Sequence, residues 1–119
     1  MRLLFDAALP PSLSYEAPED VELLRWKGGA VSDAELVRAA AEQGCRGVIL
    51  LGRDSLAPHG LRAVARELGV ALIATSTHDP IQAKHYLLKN LSALRRSLAD
   101  HDSLLVLAAE VRPGLTEGA

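Results

Sequence analysis

The chain has 119 residues, the size of one domain, since domains most often run ~100–150 residues and a second core would have too few residues to bury. Hydrophobic residues make up 49% and charged residues 24%, which excludes a disordered, collagen-like or disulfide-scaffold chain and calls for a packed core. The 13 Lys and Arg against 15 Asp and Glu leave a net charge of −2, so no global basic field draws nucleic acid, and RNA or DNA would be held by local contacts.

Aromatic residues are only 3%, so the core is built from Leu, Val, Ile and Ala, which argues against recognition by stacking bases on several exposed rings. The single cysteine, Cys45, has no partner for an internal disulfide. No charged-then-apolar leader precedes the first strand-like run, and the expectation is a reducing, cytoplasmic location. No apolar stretch approaches the ~20 residues that span a bilayer, so no membrane partner is expected.

Taken in chain order, residues 2–5 form a short apolar run closed by Asp6. Residues 21–26 mix Val, Leu and Trp with Glu22 and Arg25 and read as an edge-like strand. Ser32 and Glu35 stand at capping-box spacing before Leu36, Val37 and three alanines, which predicts a helix that Gly44 ends. Residues 47–51 are a near-continuous apolar run, as expected of a parallel strand covered on both faces. A second helix is predicted from Pro58 to Leu68, with Gly69 as its stop. Residues 70–74 repeat the buried-strand pattern. Asp79-Pro80 opens the longest predicted helix, with an N-cap acid and Pro at the first helical position. Its stripe of Leu87, Leu91, Leu94 and Leu98 suits a helix lying along a sheet. Residues 103–108 give the last strand.

Strands alternating with helices imply βαβ units. The predicted fold is α/β, a three-layer α/β/α sandwich on a mainly parallel sheet of about five strands. Residues 1–111 form one domain, and residues 112–119, with Pro113, two glycines and no periodicity, read as a loose C-terminal tail.

In open parallel sheets the functional groove lies outside the carboxyl ends of the strands. Asp6, Asp54 and Asp79 each follow a predicted strand, and Asp33 and Glu35 open the helix after the second strand. Two to four carboxylates gathered there suit Mg²⁺ or Mn²⁺, hard cations that take oxygen ligands and keep waters for substrate phosphates. Each acid has a plainer role open to it. Asp6 and Asp54 fit turns, Asp33 and Glu35 offset a helix dipole and complete a capping box, and Asp79 fits an N-cap. His59, His78, His85 and His101 have no metal-ligand spacing, and His78 reads as a solvated loop residue. Lys84, Lys89, Arg95 and Arg96 form the polar side of the long helix, either a solvated face or a hold on a phosphate backbone. Cys45 reads as structural.

The opening Met1-Arg2-Leu3-Leu4-Phe5-Asp6-Ala7-Ala8-Leu9-Pro10-Pro11 resembles the start of the small PIN-like nuclease domains of the toxin type, in which a first strand ends in Asp followed closely by Leu-Pro. Ser32-Asp33-Ala34-Glu35-Leu36 is similar to their acidic helix start, and residues 48–54 to the strand that delivers the next Asp. The resemblance runs over nearly the whole chain in order of elements.

It implies an acidic groove that binds Mg²⁺ or Mn²⁺ and hydrolyses single-stranded RNA, often as the toxin of a toxin–antitoxin pair, with an antitoxin protein as a further partner. A second copy of the chain is expected separately, because a small aliphatic domain with helices on both faces often hides surplus apolar surface by pairing. Asp6, Asp33 and Asp54 then match the catalytic, metal-binding acids, and Glu35 is a neighbouring metal ligand. Mg²⁺ or Mn²⁺ would activate water and neutralise phosphate charge. The family commonly has Glu directly after the first Asp, where this chain has Ala7, and a further Asp two places after the later one, where it has Leu56. Fewer carboxylates bind metal more weakly, and the alternative is a catalytically inactive PIN-like domain that binds RNA or a partner protein. A phosphorylation receiver domain is a further alternative, with Asp6, Asp54 and Thr75 at similar places, against which stand Glu110 in place of a Lys and prolines 10, 11 and 18 in the first connection.

Overall fold

The five apolar runs become five parallel strands, and the helix-period segments between them become the two outer layers. The computed structural model describes residues 1–29, 31–57 and 59–114. In chain order the elements are β1 (Arg2–Phe5), α1 (Leu13–Glu16), β2 (Glu22–Arg25), α2 (Asp33–Glu42), β3 (Gly47–Leu50), a 3-10 turn (Arg53–Leu56), α3 (His59–Leu68), β4 (Ala71–Thr75), α4 (Pro80–Lys89), α5 (Leu91–Ser97), β5 (Ser103–Val106) and β6 (Val111–Pro113). Pro58, where sequence places the start of the second helix, lies outside the described residues.

The sheet has strand order β2-β1-β3-β4-β5-β6. The first five strands in this order pair in parallel, and β6 pairs antiparallel with β5, setting Val106 opposite Val111 and Leu104 opposite Pro113. The sheet therefore has six strands among the described residues, one more than the apolar runs predict. Arg112 and Pro113, read from sequence as the start of a loose tail, belong to this hairpin, whose turn is closed by the Leu107 N–H donating to Glu110 O at 2.9 Å. Residues 115–119 lie outside the described residues.

Alternation along the strands sends side chains to two cores. On one face Leu3, Phe5, Ile49, Ile73, Leu104 and Val106 pack against Leu13 of α1 and the stripe Ala83, Leu87, Leu91 and Leu94 of α4 and α5. On the other, Leu4, Val48, Leu50 and Leu72 pack against Leu36, Val37 and Ala40 of α2 and Leu61 and Ala65 of α3. These are the three layers, with α1, α4 and α5 on one side of the sheet and α2 and α3 on the other. The crossover from β4 to β5 steps along the sheet in the same direction as those from β2 to β3 and β3 to β4, yet over the opposite face. It has the opposite hand to the other three parallel crossovers, a departure from a rule obeyed in about 98% of cases.

The leucine stripe predicted for the long helix is buried throughout, but the helix is broken at Asn90. The cause is tertiary. The Asn90 side-chain amide, itself buried, donates to Tyr86 O at 2.8 Å and to Leu107 O at 3.1 Å, tying the break to the chain leaving β5. Asn90→Ala removes the side-chain donor to Leu107 O, while Tyr86 O keeps the Asn90 N–H at 3.1 Å, and is expected to lower stability by about 1–3 kcal/mol, read as a reduced urea midpoint in Trp26 fluorescence. Among the described residues no helix is long and apolar enough to cross a membrane.

Candidate functional site

The alternating sides of the connections shape the carboxyl edge of the sheet. The chain leaves β2 and β3 toward α2 and α3 on one face, and leaves β1 and β4 toward α1 and α4 on the other. Neighbouring strands thus part company at every step from β2 to β4, and a crevice opens wherever adjacent connections diverge.

Asp6 stands at this edge immediately after β1. Its N–H donates to Ile49 O at 3.0 Å, which fixes the backbone between β1 and β3, and its Oδ1 accepts from the Ala8 N–H at 3.2 Å. Asp33 is the first residue of α2, placed by Ser32, whose hydroxyl accepts from the Glu35 N–H at 3.2 Å. Asp33 is half-buried, and burial, with the neighbouring charge of Asp6 second, pushes its carboxyl above the ordinary value of 3.8. The two acids stand 27 residues apart in the chain, and the adjacency of β2 and β1 brings them near enough for the Asp6 charge to act on Asp33. Among the described residues no ion pair joins either of them to a basic side chain.

The other two candidate acids are engaged differently. Glu35 is exposed and its Oε1 accepts from the Ser32 hydroxyl at 3.3 Å, so it serves the helix cap that sequence also allowed. Asp54 lies in the 3-10 turn after β3, and its Oδ1 meets His78 Nε2 at 2.7 Å. That bond is the main reason its carboxyl is held below the usual range. No group of three or more His, Cys, Asp or Glu among the described residues stands close enough together to hold a metal ion. Asp33 lies near enough to Asp6 to feel its charge, while Asp54 faces His78.

His78 is the solvated loop residue that sequence predicts, and its pairing with Asp54 is what spacing along the chain misses. The signal lies in Gly52, at φ +93°. A Cβ there would stand 2.5 Å from His78 Nε2, so only glycine lets the ring lie over the turn. Beneath it the Gly52 N–H donates to the hydroxyl of buried Thr75 at 3.2 Å, and that hydroxyl donates to Thr77 O at 2.9 Å, lacing the β3 and β4 loops together. Gly52→Ala is expected to push His78 off Asp54 and let the Asp54 carboxyl return toward its ordinary value, observable as an upward shift in its NMR titration.

The basic residues of the long helix do not gather at this edge. Because α4 and α5 run back against the strands, Arg95 reaches the opposite edge, where it pairs with Asp20 beside the chain's amino group. Lys84 is largely covered and lies 3.1 Å from Glu16 Oε2. Asp79 accepts from the N–H groups of Ile81 and Gln82 at 2.9 and 3.3 Å, the N-cap role predicted for it. Cys45 is buried, which pushes its thiol pKa up and keeps it unreactive. Comparison with known proteins finds no matching family model, no matching curated protein and no matching solved structure.

Proposed function

We propose that the protein is a PIN-like ribonuclease, dependent on Mg²⁺ or Mn²⁺, that uses Asp6 and Asp33 as its carboxylate pair. The observation that carries this reading is the nearness of two acids, close enough for the charge of one to act on the other and with no basic partner among the described residues, at the carboxyl edge of a parallel sheet. The elevated proton affinity of Asp33 supports it, since a half-buried carboxylate beside another carboxylate favours a cation or a proton. Two carboxylates fit Mg²⁺, which commonly takes one or two from the protein and completes its shell with water and substrate phosphate. Such an ion would supply charge neutralisation on a phosphate and a more acidic water.

Asp6 is held rigid by its backbone bond to β3, and Asp33 by the cap of α2, so both ligands are preorganised on regular elements. Exposed Arg53, on the same edge, is the local basic contact for an RNA phosphate. A cytoplasmic toxin with an antitoxin partner is the setting the resemblance to PIN-like domains implies.

The second reading is a catalytically inactive PIN-like domain that binds RNA or a protein. The pairing of Asp54 with His78, which withdraws one expected ligand, favours it. The deciding experiment is cleavage of a mixed single-stranded RNA pool with Mn²⁺, with EDTA as control, for the native protein, Asp6→Asn and Asp54→Asn. Metal-dependent cleavage lost in Asp6→Asn supports the nuclease. If Asp54→Asn retains it, the pair Asp6 and Asp33 is the centre; RNA bound without cleavage under either metal moves the protein to the second reading.

A further inference from the structure

An open groove of about 890 Å³ runs along the outer edge of β2 and is lined by Tyr15, Pro18, Leu23, Arg25, Lys27 and Gln43 among others. The strand is terminal in the sheet, and its inner side is taken by β1: the Glu22 N–H donates to Met1 O at 2.7 Å and the Trp26 N–H to Phe5 O at 3.0 Å. In a parallel pair, alternate residues turn both their N–H and C=O toward the neighbour, so Leu23 and Arg25 turn theirs outward into the groove. Among the described residues no hydrogen bond takes these groups. Uncovered edges of this kind are templates for pairing with another strand. Two side chains at the groove fit an incomplete surface: Arg25 Nε is buried without a hydrogen-bond partner, and Tyr15 is 85% exposed.

We propose that β2 pairs antiparallel with β2 of a second copy of this chain about a two-fold axis, joining two sheets into one. The charge pattern selects this occupant. The chain enters β2 through acidic Glu19 and leaves it through basic Arg25 and Lys27. Asp20 and Glu22, also at the entering end, are already paired with Arg95 and Arg2. An antiparallel two-fold brings the entering end of each copy to the leaving end of the other, so unlike charges meet twice, whereas a parallel pairing sets like against like. Leu23 and Arg25 of one copy then exchange hydrogen bonds with Arg25 and Leu23 of the other, using the backbone groups left open, with Leu24 facing Leu24 across the axis.

The test is the mass in solution by sedimentation equilibrium at low salt. A dimer in the micromolar range is expected. Glu19→Lys or Lys27→Glu alone should weaken it several-fold, and the double exchange should restore it, because both pairs are then reversed together. Arg25→Pro, tolerated where an edge N–H faces outward, removes a pairing donor and should also weaken the dimer, with circular dichroism showing that the fold is kept. A monomer at every concentration overturns the proposal, as does a dimer that none of these variants weakens or a chain that gains mass only with a different protein. Asp6→Asn should dimerise like the native chain, which separates this interface from the metal-dependent reading.

Discussion

Asp33→Asn is expected to make the protein more stable at neutral pH while removing the metal-dependent RNA cleavage proposed for it. A metal-held phosphate gains several kcal/mol of transition-state stabilisation, and about 1.4 kcal/mol is tenfold in rate, so loss of one of two ligands should lower cleavage by on the order of 10²-fold or more. The stability change has the opposite sign. Burial and then the charge of Asp6 hold the Asp33 carboxyl above 3.8 in the folded protein. The folded state therefore binds this proton more tightly than the unfolded chain, and stability falls as pH rises from 3.8 through the folded value. At pH 7 both states are ionised and the folded protein carries the whole unfavourable interaction, which Asn removes. Asp33 is only half-buried, so solvent screens the effect and the rise in melting temperature is modest. The measurement is thermal unfolding of both proteins from pH 3 to pH 8 beside the cleavage assay. A variant less stable at pH 7 that still cuts RNA would assign Asp33 to structure.

The opposed signs are informative because a residue kept for packing or capping gains nothing from being unfavourable in the folded state. Glu35 makes the contrast two residues further along, in the same first turn of the helix. Its carboxylate is spent on the Ser32 hydroxyl, so Glu35→Gln should leave cleavage within a few-fold of native.

The strands were legible because a strand covered on both faces must be apolar at every position, as residues 48–50 and 71–74 are. The caps were legible too, since Ser32 and Asp79 act within four residues of themselves. What failed to show was whatever depends on a distant partner. Val111-Arg112-Pro113 has no alternation and becomes a strand only because β5 offers it an open side. The break at Asn90 is made by carbonyls 17 and 18 residues away. The acids were identifiable as acids following strands, but which of them meet is decided by the face over which each connection runs. Asp6 acts on Asp33 from the end of the neighbouring strand, while Asp54 faces His78 from 24 residues away.

Phe5→Ala should produce the largest loss of stability of any change considered, about 3–5 kcal/mol. Phe5 is the only phenylalanine, is fully buried, and lies on the face where α1, α4 and α5 meet the sheet. The fully buried neighbours of Phe5 are aliphatic and the one other ring at this cluster, Tyr86, packs at its half-buried margin, so the cavity stays largely open. Small domains hold about 5–15 kcal/mol in total, so the variant sits near the threshold of folding. Urea unfolding followed by the fluorescence of Trp26, the one tryptophan, reads the change directly, with a lower midpoint and an unchanged slope. Asp6 follows Phe5 in the chain, yet its position is set by backbone bonds: its own N–H to Ile49 O, and Phe5 O accepting from the Trp26 N–H on the other side. Below its melting temperature the variant should therefore keep cleavage within a few-fold of native. A loss below about 1 kcal/mol would mean that α4 and α5 do not close over Phe5. A collapse of cleavage in the folded variant would mean instead that the ring, and not the β1 and β3 backbone, holds Asp6 toward Asp33.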